Sequence, residues 1–114
     1  MSLQIDPIEY TIKIISIALS GRLDAFASPA LRKVCDKFIE DGIIHIVFDL
    51  GNVTMIDSAG LAVLISALKK TRLGGGDVRI IWPQVEAAAR ILKLTKFDQV
   101  FTSIEASQII PKGF

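Results

Sequence analysis

Hydrophobic positions along the chain switch repeatedly between strand-like runs and helical spacing. Residues 8–19 are dense in β-branched side chains, and residues 43–50 are nearly continuous apolar sequence. Both segments predict strands. The alternation slips between Ile14 and Ile15, so the register of the first segment stays open. The second segment is typical of a central strand that is covered on both faces.

Three further segments have the spacing of amphipathic helices. The first begins at the pair Ser28-Pro29, a cap followed by proline, and Gly42 ends it. The second spans about residues 58–72, with cations in its last turn and three glycines after it. The third runs through residues 85–92. Their predicted buried faces are, in order, Leu31, Val34, Cys35, Phe38 and Ile39; Leu61, Leu64, Ile65 and Leu68; and Val85, Ala88, Ala89 and Leu92.

Shorter apolar runs complete the pattern. Residues 53–56, 78–82 and 100–104 predict further strands, and a short terminal helix follows the last of them. Strands that alternate with helices of about ten to fifteen residues are typical of an α/β layer structure. We therefore expect one domain over residues 1–114, with a mixed sheet of four to five strands packed against about four helices. The opening pair of strands, within residues 8–19, is expected to form an antiparallel edge of that sheet.

Composition and charge narrow the class of function. The 114 residues include 13 Lys and Arg against 12 Asp and Glu, and this balance does not favour nucleic acid or an anionic membrane as the main partner. Mean hydropathy is high, at +0.50. However, the longest uncharged apolar stretch, residues 58–68, is far shorter than the ~20 residues of a membrane-spanning helix. The apolar surplus fits a buried sheet plus an apolar surface for a partner.

The candidate functional segment is Asp57-Ser58-Ala59-Gly60-Leu61, where the strand pattern gives way to the second helix. The Ser58 hydroxyl is expected in the first helical turn, where backbone N–H groups lack internal partners and the helix dipole favours negative charge. Phosphate could be added there without breaking the fold. Either Asp57 or Ser58 could cap this helix, so the alternative to a modified serine is a plain cap. Gly60 either lets a partner approach the backbone or packs at the corner.

Motifs on both sides of this segment resemble those of the STAS domain, a family shared by bacterial anti-sigma factor antagonists and the cytosolic tails of sulfate transporters. Residues 57–61 are similar to the family signature. Residues 20–24 (Ser-Gly-Arg-Leu-Asp) resemble its Gly-x-Leu/Ile-Asp element, and residues 73–78 (Leu-Gly-Gly-Gly-Asp-Val) resemble its Gly-Gly turn. Residues 91–101 fit the pattern after the third helix. The resemblance covers essentially the whole chain in one collinear order.

The resemblance implies an anti-sigma factor antagonist that is switched by phosphorylation. In phosphorylatable members, the serine directly after the motif's aspartate accepts the phosphate, and here that residue is Ser58. Many members have a second serine where this chain has Ala59, which favours a single-site switch. Unphosphorylated antagonist binds an anti-sigma factor that is also a serine kinase, phosphorylation releases it, and a serine phosphatase resets the cycle. The implied partner-binding residues are Asp24, Asp57, Ser58, Ala59, Gly60 and Leu61.

Other classes of function remain as alternatives. The first is a non-switching STAS scaffold or ligand-binding module of a larger signalling assembly, and another is a transporter tail. We expect no enzyme, because the sequence has no Gly-x-Ser-x-Gly elbow, no metal-binding cluster and no nucleophile–base pair. No cofactor or metal, and no nucleic acid or membrane partner, is expected. The single cysteine, Cys35, and the lack of a leader pattern fit a cytoplasmic protein, expected as a monomer or weak homodimer.

The roles of one acidic residue, Asp24, and of the histidine His45 are interpreted separately. Asp24 either helps to position a kinase metal or shapes the binding face, or it is a turn residue after Gly21. His45, the only histidine, sits in an apolar strand pattern and is expected to be structural.

Overall fold

A four-stranded sheet and three α-helices make up the described part of the chain, which is residues 2–9 and 12–108 of a computed structural model. In chain order the elements are β1 Ile14–Leu23, α1 Ser28–Glu40, β2 His45–Ile56, α2 Ser58–Leu73, β3 Asp77–Ile81, α3 Glu86–Leu94 and β4 Thr102–Ser103. Single turns of 3-10 helix, at Phe97–Gln99 and Ala106–Gln108, flank β4. The expected domain over residues 1–114 also includes residues 1, 10, 11 and 109–114, which lie outside the described residues.

The described strands form a parallel sheet in the order β1-β2-β3-β4. The predicted antiparallel edge is wrong for these residues, because β1 is a single strand that begins at Ile14 and pairs in parallel with β2. Residues 8–19 contain no Gly, Asn or Pro to form a tight hairpin. Instead, β1 leads to β2 through the crossover helix α1, a connection that places the two strands parallel. Part of the predicted opening pair, at residues 10 and 11, lies outside the described residues.

The two apolar runs predicted at residues 43–50 and 53–56 form one strand, β2, of 12 residues. Its pairing with β1 slips by one residue at two points, opposite Leu19 and after Gly21. Each slip is a bulge that inserts an extra residue into β2. The second bulge explains why Val53 and Ile56, which are an odd number of positions apart, are both buried.

One buried cluster joins the sheet to all three helices, and no further α-helix is present among the described residues. The predicted terminal helix is only the 3-10 turn Ala106–Gln108, which is why the helices number three rather than about four. The other face of β2 is only partly covered, since Val47 is buried while His45 and Asp49 beside it are half-buried. The cluster comprises Ile46, Phe48, Leu50, Val78 and Ile80 of the sheet and Leu31, Cys35, Val63, Leu64, Ala67, Leu68, Ala88 and Leu92 of the helices, with others.

Glycines with left-handed backbone end the first two helices. Gly42 has φ +88°, and its N–H donates to the carbonyl of Ile39 at 3.0 Å while the Ile43 N–H donates to Phe38 at 2.9 Å. This pair of bonds is the Schellman arrangement, and it confirms Gly42 as the end of α1. Gly75, also at φ +88°, closes α2 in the same way. Both turns return the chain to the edge of the sheet from which the next strand begins.

Candidate phosphoacceptor and partner-binding site

Asp57 is the cap of helix α2. Its Oδ1 accepts a hydrogen bond of 3.0 Å from the backbone N–H of Gly60, and its carbonyl accepts the Leu61 N–H at 3.0 Å. Of the two residues that the sequence offered for this position, Asp57 therefore holds it. Ser58 is the first residue of the helix and is exposed. Its hydroxyl is left without a capping role.

Only some of the backbone N–H groups at the start of α2 donate to acceptors within the protein. The first four N–H groups of a helix lack partners within it. Here the Asp57 N–H donates to the carbonyl of Leu23 at 3.2 Å, and Gly60 donates to Asp57. The N–H groups of Ser58 and Ala59 are the two that remain at this helix end. A phosphate on Ser58 would meet a helix terminus that is already half satisfied, directly beside the Asp57 carboxylate.

The second oxygen of Asp57 holds the loop between β1 and α1. Its Oδ2 accepts a hydrogen bond of 3.0 Å from the backbone N–H of Ala25. Together with the bond from the Asp57 N–H to Leu23, this contact fixes the loop to the start of α2. The structure thus brings the loop containing Asp24 next to the segment containing Ser58, as expected for loops that follow neighbouring parallel strands.

Asp24 organises the same loop from within. Its Oδ1 accepts the N–H groups of Phe26 and Ala27, each at 3.1 Å, and its carbonyl accepts the Ser28 N–H at 2.9 Å and the Ser28 hydroxyl at 2.6 Å. The hydrogen bond from Ala27, then that from Phe26 and the contact with Arg22, lower the pKa of the Asp24 carboxyl. These bonds favour the interpretation of Asp24 as a turn residue.

Ser28 does not cap α1 as predicted. The N-cap position is Ala27, which makes no side-chain cap bond, and Ser28 is the first helical residue. The prediction was wrong because Asp24 already satisfies the N–H groups before the helix, so the Ser28 hydroxyl turns back to the Asp24 carbonyl. Pro29 lies in the first turn, as predicted.

Gly60 is buried at the corner between β2 and α2. A Cβ at this position would collide with the Leu23 carbonyl oxygen and would lie 2.7 Å from Leu23 Cγ. This close approach supports the packing role of Gly60. Leu61 packs against the core while partly exposed, and Ala59 is half-buried. Within the predicted partner-binding set, Ser58 is thus the residue most open to solvent.

Phe26 is a surface feature that the sequence interpretation missed. Its side chain is 96% exposed, and it follows Ala25, whose N–H is bound by Asp57. The signal was present in the sequence as an aromatic residue inside a predicted turn, two positions after Asp24. No periodic pattern marks such a residue, because the turn belongs to neither a helix nor a strand.

Two apolar depressions adjoin the loop. A cavity of about 280 Å³ lies between β1 and α1, with Ile17, Leu19, Leu31 and Val34 among its lining residues. A shallower groove lies between α1 and α2, lined by residues that include Ala25, Pro29, Arg32, Ala59 and Ala62.

Other candidate chemistry is sparse in the described ranges. Residues 2–9 and 12–108 contain no group of three or more His, Cys, Asp and Glu side chains that could hold a metal ion. None of the helices in that part of the chain has the length and apolar character needed to cross a membrane. Cys35 is 2% exposed, and burial raises the pKa of its thiol to about 11, which confirms it as a core residue. Trp82 is half-buried against the core.

Comparison with known proteins places this architecture in a family. Residues 7–108 match the STAS domain, and the chain belongs to the STAS domain family. It is 33% identical, over 81 residues, to the anti-sigma F factor antagonist of Paenibacillus polymyxa, covering 70% of this chain and 68% of that protein.

Solved structures show the same fold. A crystal structure from Thermotoga maritima, of a protein provisionally assigned as an anti-sigma factor antagonist, superimposes with a TM-score of 0.76 at 27% identity and covers 88% of each chain. The anti-sigma factor antagonist SpoIIAA in its unphosphorylated form has a TM-score of 0.68 at 19% identity, covering 87% of this chain and 86% of that one. The phosphorylated form of the Bacillus cell fate determinant SpoIIAA has a TM-score of 0.70 at 16% identity, covering 94% and 96%. At these identities, SpoIIAA supports the fold alone.

Proposed function

We propose that this protein is an anti-sigma factor antagonist whose binding to an anti-sigma factor is switched by phosphorylation of Ser58. One observation supports the choice of residue: Asp57 caps α2, so the exposed Ser58 hydroxyl in the first turn is not needed to cap the helix. The relatives named as anti-sigma factor antagonists support the class of function. The SpoIIAA structures support a fold that exists in phosphorylated and unphosphorylated forms.

The proposed cycle has two protein partners. The anti-sigma factor is itself the serine kinase, and it binds the unphosphorylated chain through the face formed by Asp24, Asp57, Ser58, Ala59 and Leu61, with Gly60 holding the corner beneath. A serine phosphatase restores the binding form. The chain acts as the substrate of the kinase and not as a catalyst, in the cytoplasm, as a monomer or weak homodimer.

The charge of the phosphate sets how much phosphorylation changes the affinity for the partner. A phosphoserine carries about −1.5 to −2 charges near neutral pH. In a docked complex this charge stands next to the Asp57 carboxylate, which cannot turn away because its two oxygens bind Gly60 and Ala25. Two charges about 6 Å apart at an effective dielectric constant of ~20 interact by roughly 3 kcal/mol. Only the repulsion that docking adds, as the partner excludes water from the site, lowers the affinity, and about 3 kcal/mol of added repulsion corresponds to about a hundredfold loss.

Phosphate transfer tests the proposal directly. The purified protein is incubated with ATP and, one at a time, with each recombinant anti-sigma factor kinase encoded in the source genome. The product is then analysed by mass spectrometry. We expect one phosphate on the wild type and none on Ser58→Ala. Ser20→Ala is the matched control, since Ser20 is an exposed serine in β1, and it should be phosphorylated like the wild type. Undiminished phosphorylation of Ser58→Ala would exclude the proposed site.

The cavity between β1 and α1 favours a second function, that of a non-switching, ligand-binding module. Its walls are almost wholly apolar, so the ligand would be a small apolar molecule. A volume of about 280 Å³ is at the lower end for ligand pockets, which also contain a few polar groups that orient the ligand. Saturable binding of such a molecule, in a protein that no kinase phosphorylates, would favour this alternative.

A further inference from the structure

The β1–α1 loop presents an aromatic side chain to solvent. Among the residues that the structure describes, no other large apolar side chain is as exposed as Phe26, at 96%. Removing such a side chain from water is favourable, in proportion to the apolar area that is buried. Phe26 gains almost none of this within its own chain, although a large core lies close by.

The backbone that carries Phe26 is held in place on both sides. Four consecutive N–H groups donate to acceptors on two aspartates: Ala25 to Asp57 Oδ2, Phe26 and Ala27 to Asp24 Oδ1, and Ser28 to the Asp24 carbonyl. Binding through a loop that is already ordered avoids much of the entropy cost of association. The same bonds tie the position of Phe26 to the helix end that carries Ser58.

Small side chains surround this aromatic residue. Ala25 and Ala27 flank it in sequence, and the groove beyond Ala25 is lined by Ala59 and Ala62 of α2. These neighbours add little bulk to the surface next to the loop. Aromatic residues, phenylalanine among them, are enriched in protein–protein interfaces relative to the rest of the surface.

We propose that Phe26 is the anchor residue by which the anti-sigma factor holds this protein, inserting into an apolar pocket of that partner beside its phosphate-transfer site. The inference rests on the proposed function and extends it to a residue outside the signature segment. The anti-sigma factor is the expected occupant because the hydrogen bond from Ala25 to Asp57 holds the Phe26 loop beside the helix end that carries Ser58, where the proposed kinase must bind.

Binding and kinetics of matched variants test the anchor. Affinity for the recombinant anti-sigma factor kinase that phosphorylates the wild type is measured by calorimetry for the wild type, Phe26→Ala, Phe26→Tyr and Leu73→Ala. Leu73 is the control because it is 88% exposed and ends the 16-residue helix α2, about 22 Å from Ser58 at 1.5 Å per residue. We expect about a hundredfold weaker binding for Phe26→Ala, recovery to within about threefold in Phe26→Tyr, and no change in Leu73→Ala.

A docking role also differs kinetically from a structural one. Phe26→Ala should raise the KM for phosphorylation with kcat unchanged, because the ring does not touch the reacting hydroxyl, and its thermal unfolding midpoint should match that of the wild type. If the wild type binds and Phe26→Ala binds equally well, the anchor is overturned while the proposed function stands. If the wild type binds none of the kinases, both fail. A loss of self-association in Phe26→Ala, with kinase affinity unchanged, would assign the residue to a homodimer contact instead.

Discussion

The Asp57 carboxylate accepts the backbone N–H of Ala25 at 3.0 Å across 32 positions of sequence. Its other oxygen caps α2 through Gly60. A single side chain therefore joins the loop after β1 to the start of α2, whose first residue is the exposed Ser58. The aspartate of the signature segment acts as a brace between the two elements, and the serine beside it is the residue that we propose accepts the phosphate.

Removing this brace should lower stability more than removing an exposed charge. Asp57→Ala loses both the helix cap and the bond to Ala25, and we expect the free energy of unfolding to fall by about 1–3 kcal/mol. Asp57→Asn keeps an oxygen for the N–H of Gly60 but places an amide NH₂ opposite the N–H of Ala25. Its free energy of unfolding should therefore lie between those of the wild type and Asp57→Ala. Denaturant titration measures all three.

Asp36→Ala is the control for that series. Asp36 forms an exposed ion pair with Lys70 at 2.7 Å, and such pairs contribute about 0–1 kcal/mol. If Asp57→Ala were no less stable than Asp36→Ala, the bracing role assigned to Asp57 would be wrong.

Gly60→Ala should disturb the corner although alanine is a better helix former. The propensity gain is about 1 kcal/mol, but the added Cβ meets the Leu23 carbonyl oxygen, which also accepts the Asp57 N–H. Overpacking of this kind costs about 1–3 kcal/mol. We expect a net loss of stability by thermal unfolding, together with altered amide chemical shifts at Leu23 and Asp57. Ser66→Ala, in the middle of the same helix, is the control and should leave those chemical shifts unchanged. Unchanged shifts in Gly60→Ala would contradict the close packing at this corner.

Acid should weaken the β1–α1 loop through Asp24. The hydrogen bonds from Ala27 and Phe26 and the contact with Arg22 hold the pKa of Asp24 below its usual value. The carboxylate therefore contributes stability above the unfolded pKa of about 4, and this contribution is lost as pH falls through the lower folded pKa. The stability difference between wild type and Asp24→Asn should be constant near neutrality and shrink at acid pH. A carboxyl ¹³C titration that placed the folded pKa of Asp24 above 4 would contradict this.

The sequence predicted the elements better than their pairing. Helix ends were accessible because Gly42 and the glycines after α2 are local signals of a left-handed residue. The parallel direction of β1 could not be predicted in this way, because it depends on the crossover through α1 and not on any residue of β1 itself. The cap at Ser28 was misassigned because its hydroxyl donates to the carbonyl of Asp24, four positions upstream, and Ala27 takes the N-cap position. Phe26 carried no periodic signal, and its exposure is known only once the loop is folded.

Thiol labelling of Cys35 should report on opening of the core. Burial raises the pKa of this thiol to about 11, so roughly one molecule in a thousand carries the reactive thiolate at pH 8, and the sulfur is also shielded between α1 and the core. We expect labelling by a disulfide reagent to be slow in the native protein and to follow the population of the open state. It should therefore accelerate in Asp57→Ala by about tenfold for each 1.4 kcal/mol of stability lost. The matched control is Val34→Cys in a Cys35→Ala background, because position 34 is 44% exposed and should react at once in both the presence and the absence of the Asp57 substitution. Rapid labelling of Cys35 in the folded wild type would contradict its place in the core.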